Sequence, residues 1–326
     1  MDIAAILKII IQIAAATTGA AALWGLYFHI RNIGAGNDSS RLINLCFLVL
    51  ASSVAIFLVA WLLNYSVFSP NIVTSHEGIV TQPTQGHINS GSQINLWMLW
   101  PLIIVSLFSI FSYSHRPRLY QKYIGWSFLA HFLIISAIMI FSVYKGGWDK
   151  EQLFFALHSW HSILTIGTVI LIDLLYSFTS KDVGLKKILY QAFHKMSMAI
   201  WIGLGLDFAS AFLVYPEALV LNAKFYFIQT VIAIIIINGA LLSGRVSNWL
   251  LGTLTGQALS RQSKIIIGLS GSISIISWLT ITAIDSLEIG WAYWQFALAY
   301  LIAIVAAYLF HKNFMVKDLE KQPKLG

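Results

Sequence analysis

An all-α, polytopic bundle of membrane-spanning helices is the fold class that the sequence predicts, and three observations carry it. Of 326 residues, 58% are apolar and only 10% are charged, far outside the range of soluble domains. Several windows of about 18 or more residues run almost without charge, the length a helix needs to cross a hydrocarbon core of about 30 Å. The strict polar and apolar alternation of a membrane barrel strand is absent, which leaves helices. A single transmembrane domain over 1–326 follows, and the lipid bilayer is its first partner.

Nine spans account for the apolar windows: 3–29, 42–63, 94–113, 123–143, 153–178, 196–214, 225–242, 265–284 and 291–310. The count rests on two splits, at HRPR and at DSLEIG, where Pro117 or Gly290 and neighbouring charges predict turns. The first segment lacks a basic start and an A-x-A-like cleavage site, so it is expected to be retained as a span. An odd count puts the termini on opposite sides. Arg31, Arg41, Arg116, Lys186, Arg245, Arg261 and Lys312 then share one side, whereas Lys8, Lys145, Lys150 and Lys224 fall on the other. The positive-inside rule places the N-terminus outside and the C-terminal tail, 312–326, in the cytoplasm. The net charge of +7 is therefore topological, and a basic face on anionic lipid explains it without any nucleic acid. The expected location is the bacterial inner (plasma) membrane, crossed many times.

Connections are short apart from an outer loop, 66–93, and a cytoplasmic stretch, 246–260, whose Trp249, Leu250, Leu251 and Leu254 suit an interfacial amphipathic helix. A loose parallel repeat, 1–145 against 150–285 with the last span left over, matches YIGWSFLAHFLIISAI to IIIGLSGSISIISWLT. Cys46 is the sole cysteine, which excludes an internal disulfide and any cysteine-cluster metal centre. It is assigned to packing. No nucleotide loop, Gly-x-Ser-x-Gly elbow or His-Glu-x-x-His helix occurs, so no catalytic residue is named.

Chemistry concentrates in LHSWHSILTIGTVILIDLLYSF, residues 157–178. An ionisable group at bilayer depth costs a few kcal/mol on insertion scales and therefore turns inward or finds a partner. At about 100° per residue, His158, His161, Ser162, Thr165, Thr168, Asp173 and Tyr176 fall within roughly 140° of arc, one polar stripe. Trp160, Leu164, Gly167, Leu171 and Leu174 point elsewhere, and Gly167 suits a close helix approach. His131, in SFLAHFLIIS of the fourth span, lies roughly 18 Å deep against roughly 12 Å for His161. Two histidines at comparable depth on sequential antiparallel helices meet the requirement for axial ligands of a b-type haem. His158 and His161 alone, spaced i,i+3, suit instead a bare copper or zinc ion with a third donor from elsewhere. Plain helix-to-helix hydrogen bonding by these histidines is the competing reading.

Asp207, in WIGLGLDFASAFLVYPE, is the second intramembrane acid, for which a histidine of the fifth span, Asn238 or a bound cation are candidate partners. Asp173 lies roughly 22 Å along its helix from His158, near Lys181, and is expected to snorkel or to pair with that lysine. His29 and His194 sit near cytoplasmic ends as interfacial residues or ligands of a second haem. His76, Glu77 and His87 of the outer loop could catch a metal ion. Trp97, Trp100, Trp148, Trp291 and Trp294 fit an aromatic belt.

The fifth to eighth spans, through HSWHSILTIGTVILIDLL, WIGLGLDFASAFLVYPEALVLNAKFYFIQTVIAIIIINGALL and GLSGSISIISW, resemble bacterial polytopic proteins of the copper-resistance D type. The resemblance covers about half of the chain and stops short of the first 120 residues. It implies an inner-membrane protein linked to copper or redox chemistry, carried onto His158, His161 and Asp173. Three readings stay open. One is a haem b or copper protein using His131, His161 and His158. Another is a proton- or ion-coupled permease without cofactor, its path marked by Asp207, Asp173, Thr165 and Asn238. The last is a structural or assembly subunit, working with other membrane proteins or with copies of itself.

Overall fold

The computed structural model describes residues 3–35, 40–68, 96–142, 150–179, 182–214, 222–254, 257–286 and 290–320. Among these residues the protein is wholly helical: α1 (Ile3–Ala35), α2 (Ser40–Phe68), α3 (Leu96–His115), α4 (Pro117–Phe141), α5 (Lys150–Ser162), α6 (Thr168–Thr179), α7 (Val183–Val214), α8 (Ala223–Leu241), α9 (Ser247–Leu254), α10 (Arg261–Ser286) and α11 (Tyr293–Glu320). A π-helical turn, Ile163–Gly167, joins α5 to α6 as one rod, and a second, Leu242–Val246, joins α8 to α9. Seven rods are long and apolar enough to cross a membrane; the apolar part of α3, Leu99–His115, is shorter, and α7 is not among the seven. An integral membrane protein is the class that this architecture supports.

Local chemistry explains the ends. Arg116 leaves the helical region at φ −136° and Pro117 opens α4, a position where the missing N–H costs nothing and the fixed φ already suits a helix. Asp182 caps α7 by accepting from Leu185 N at 3.1 Å, and Asn222 caps α8 by accepting from Phe225 N at 2.8 Å. Helix α7 begins well before the expected span at 196–214. Leu185, Leu189, Ala192 and Met196 are buried while Lys187, Gln191 and Lys195 are exposed, so its first turns are amphipathic and need no bilayer to persist. Within 246–260, where an interfacial amphipathic helix is expected, Ser247–Leu254 forms α9, which continues α8 through the π turn. Likewise α11 runs on to Glu320 beyond the expected span at 291–310. Most of the outer loop, with His76, Glu77 and His87, lies outside the described residues.

Because lipid tails are as apolar as leucine, close van der Waals fit rather than water release holds such rods together. Helix α1 shows how. Ala14, Ala15, Ala16, Ala20, Ala21 and Ala22 are all buried, and this small-residue surface lets α2, α4 and the α5–α6 rod approach closely. A Cβ on Gly167 would collide with the Ala16 carbonyl oxygen, so the expected close approach at that glycine is met by α1. Helix α2 turns Ile43, Cys46, Phe47, Leu50, Val54 and Phe57 inward and leaves Leu48, Ile56, Val59 and Leu62 exposed to the lipid side. Cys46 is fully buried, consistent with packing.

Two cores result. The larger gathers α1, α2, α3, α4, the α5–α6 rod and the first half of α7. The smaller gathers Phe227, Val231 and Ile235 of α8, Trp278 of α10 and Phe296, Tyr300 and Ile304 of α11 around Ile166, Val169 and Leu204. The α5–α6 rod and α7 belong to both. At one end of the bundle Arg41 pairs with Asp182 at 2.8 Å, Arg31 donates to Gln191 at 3.0 Å and Tyr120 donates to Asn44 at 3.1 Å. The ends of α1 and α6 and the starts of α2, α4 and α7 therefore lie together.

Candidate functional site: a cavity between the two cores

The fifth-span rod carries most of the polar residues singled out from the sequence, and the π turn decides where they point. A π turn accommodates about one residue more than an α-helix, which turns everything beyond it by about 100° relative to an unbroken helix. The expected single stripe is thereby divided. Above the turn, the ring centroids of His158 and His161 lie 4.8 Å apart, and His161 Nδ1 faces Leu157 O at 3.3 Å. Within and just beyond the turn, Thr165 donates to His161 O at 3.2 Å and its methyl lies against Gly203 of α7. Thr168 donates to Ile163 O, five residues back, at 3.2 Å and accepts from Trp24 Nε1 of α1 at 3.0 Å. Below the turn, Asp173 and Tyr176 reach a cavity.

That cavity, about 200 Å³, lies between α6, α7, the α8–α9 rod and α10. Asp173 and Tyr176 of α6, His194 and Trp201 of α7, Asn238 of α8 and Trp278 of α10 line it. The second π turn contributes Leu242, Ser243 and Val246. Among the described residues no ion pair and no hydrogen bond reaches the Asp173 carboxylate. Lys181, its expected partner, lies outside the described residues. Asn238 is committed elsewhere: its Nδ2 donates to Ser270 O at 2.9 Å and its Oδ1 accepts from Ser270 Oγ at 2.5 Å. It staples α8 to α10 with its amide satisfied, beside the cavity. Tyr176 stacks on the buried Tyr190 with centroids 6.4 Å apart, which steadies the wall below Asp173. The side chain of Asp207 lies outside the described residues.

His131 occupies a different place. It is fully buried, its Nε2 lies 3.0 Å from Ser106 Oγ of α3 and its Nδ1 lies 2.7 Å from Ser127 O of α4. Ser109 and Ser127 continue the contact at 2.6 Å. The ring is thus part of a serine seam between α3 and α4. Nδ1 must carry a hydrogen to bond the carbonyl, so Nε2 of the neutral ring is an acceptor facing Ser106, whose hydroxyl also lies 2.7 Å from Leu102 O. A metal taken up by this ring would bind Nε2 in place of Ser106, with Nδ1–H left on the carbonyl. Trp160 donates to Ser136 Oγ at 3.1 Å, which aligns α5 with α4. Counting from that contact puts His161 and His131 about 6 Å apart along the bundle axis.

Trp201 and Trp278 line the cavity with Asp173 and Asn238 and were not singled out from the sequence. Their places inside the expected spans, away from the ends where a belt sits, were the available signal. Trp100, Trp291 and Trp294 are exposed, as a belt requires. His29 packs against Gly125 of α4, whereas His194 lines the cavity. No group of three or more His, Cys, Asp or Glu side chains gathers among the described residues. No family model, curated protein or solved structure matches the chain.

Proposed function

We propose that this protein is a proton- or ion-coupled permease of the bacterial inner membrane, crossing it nine times with its basic face in the cytoplasm. The pathway runs through the cavity between the two cores, and Asp173 binds the coupling proton or cation there. One observation carries the reading: a carboxyl side chain at membrane depth faces an intramembrane cavity without a counter-charge or hydrogen bond among the described residues. A group placed so takes up a proton or a cation rather than stand bare. The second π turn lines this cavity through Leu242, Ser243 and Val246, and such turns recur at functional sites. Asn238 and Thr165 hold neighbouring rods in register around the path.

The full chain in liposomes loaded with a pH-sensitive dye tests this. A potassium diffusion potential should drive proton entry through the wild type, and Asp173→Asn should reduce it at least tenfold. Wild-type vesicles no leakier than empty ones, or an Asn variant as active as wild type, would overturn the proposal.

A second reading, copper handling or redox chemistry, draws on the His158 and His161 rings 4.8 Å apart. Copper titration of the purified chain tests it, with loss of binding in His158→Ala and His161→Ala as the supporting result.

A further inference from the structure

We infer that the cavity between α6, α7, α8 and α10 takes a small lipophilic ammonium ion, held between aromatic faces and the Asp173 carboxylate. This rests on the permease reading above and names its substrate class. The lining supplies the chemistry. Tyr176, Phe193, Trp201 and Trp278 present aromatic rings from three helices, and a cation over such faces is attracted to the ring quadrupole, most strongly for tryptophan. Asp173 supplies one negative charge. Among the described residues no lysine or arginine lines the cavity, and His194 is the single basic side chain on its wall.

The same lining disfavours a bare inorganic cation. A hard ion needs about six oxygen ligands to replace its water. Here the lining offers the Asp173 carboxylate and the hydroxyls of Ser197, Ser243, Ser247 and Ser274 from separate helical rods, while Ile172, Ile200, Leu204 and Ile235 fill the walls. A quaternary or tertiary ammonium needs no such cage, because its alkyl groups accept the hydrocarbon walls. Size agrees: a cavity of about 150 Å³ holds benzene, and this one is about 200 Å³, room for one ring with a compact ammonium group. Trp201, 37% exposed, lies over Gly239 of α8 with its ring 3.4 Å from where a Cβ would stand. On that side the wall between cavity and lipid is one side chain thick.

The test is equilibrium binding of radiolabelled benzyltrimethylammonium to the purified full chain in detergent, with neopentylbenzene as an uncharged isostere in competition. Saturable binding that neopentylbenzene displaces at least tenfold less well than unlabelled cation, and that Asp173→Asn weakens at least tenfold, is the expected result. Trp278→Leu should weaken it several-fold. Equal displacement by the neutral isostere, which needs no variant, overturns the inference, as does an unchanged affinity in a folded Asp173→Asn protein. Proton flux lost in Asp173→Asn without cation binding would remove this inference alone. Cation binding in a wild type that conducts no protons would remove the permease reading and leave the site.

Discussion

Replacing Gly167 by alanine tests whether the central packing of the bundle is as tight as described. The new Cβ would meet the Ala16 carbonyl oxygen and stand 3.0 Å from Ala20 Cβ. A backbone carbonyl in the middle of α1 cannot swing aside as a side-chain tip can, so the two rods must part. Overpacking of this kind costs about 1–3 kcal/mol, against which alanine returns up to about 1 kcal/mol of helix propensity. The net loss expected is about 1–2 kcal/mol, or about five- to thirtyfold in the folded-to-unfolded ratio. Gly205 of α7 is the control, because nothing lies within 4 Å of a Cβ placed there. Alanine at that position should keep the propensity gain of up to about 1 kcal/mol. The assay is reversible unfolding of the full chain from detergent micelles by dodecyl sulfate, followed by tryptophan fluorescence. A Gly167→Ala protein as stable as Gly205→Ala would refute the close approach of α1 to the α5–α6 rod.

Two further perturbations follow from the geometry. The Leu185 N–H and then the Arg41 guanidinium hold the Asp182 carboxyl below its ordinary value, so its contribution is complete above the usual carboxylate range. It is lost as pH falls through the lowered folded value. The melting-temperature gap between wild type and Asp182→Ala should be constant from pH 7 to 5 and close at lower pH; a gap that widens on acidification would contradict this. Ser106→Ala strips the hydroxyl from His131 Nε2 and should cost about 1 kcal/mol, because a buried ring nitrogen loses its partner. Adding His131→Phe should restore part of the loss in a double-mutant cycle, since both halves of the pair are then apolar; strictly additive losses would show that the pair does not interact.

How much was legible beforehand depended on which physical signal each feature left. Long apolar windows identify rods wherever charges bracket them, and α2, α4, α10 and α11 were readable on that ground. The amphipathic start of α7 was not, because Lys186, Lys187 and Lys195 look like a loop when hydropathy is averaged. His131, Asp173, Thr165 and Asn238 stood out as polar groups at membrane depth, and each is half-buried or better. Their partners were hidden. The hydroxyl that meets His131 from another helix is Ser106 of α3, where Ser106, Ser109 and Ser112 recur every third residue, a spacing that marks one helical face. The π turn left no sequence signal. It rotates the part of the stripe beyond Gly167 relative to an ideal helix, whereas His158 and His161 are kept from the cavity by distance along the rod.

The division into two cores bears on how selective the cavity can be. A pocket scooped from one close-packed core has its dimensions fixed by side chains that cannot yield without strain throughout. This one lies where Ile235 of α8 and Trp278 of α10 face Asp173 of α6 and Phe193 and Ser197 of α7. The larger core remains intact when α8 and α10 shift there, and only their contacts with α6 and α7 are exchanged. Discrimination by charge then resides in Asp173 and stays sharp, while discrimination by bulk is shallow, so that homologous ammonium ions differing by a few methylenes share the same site.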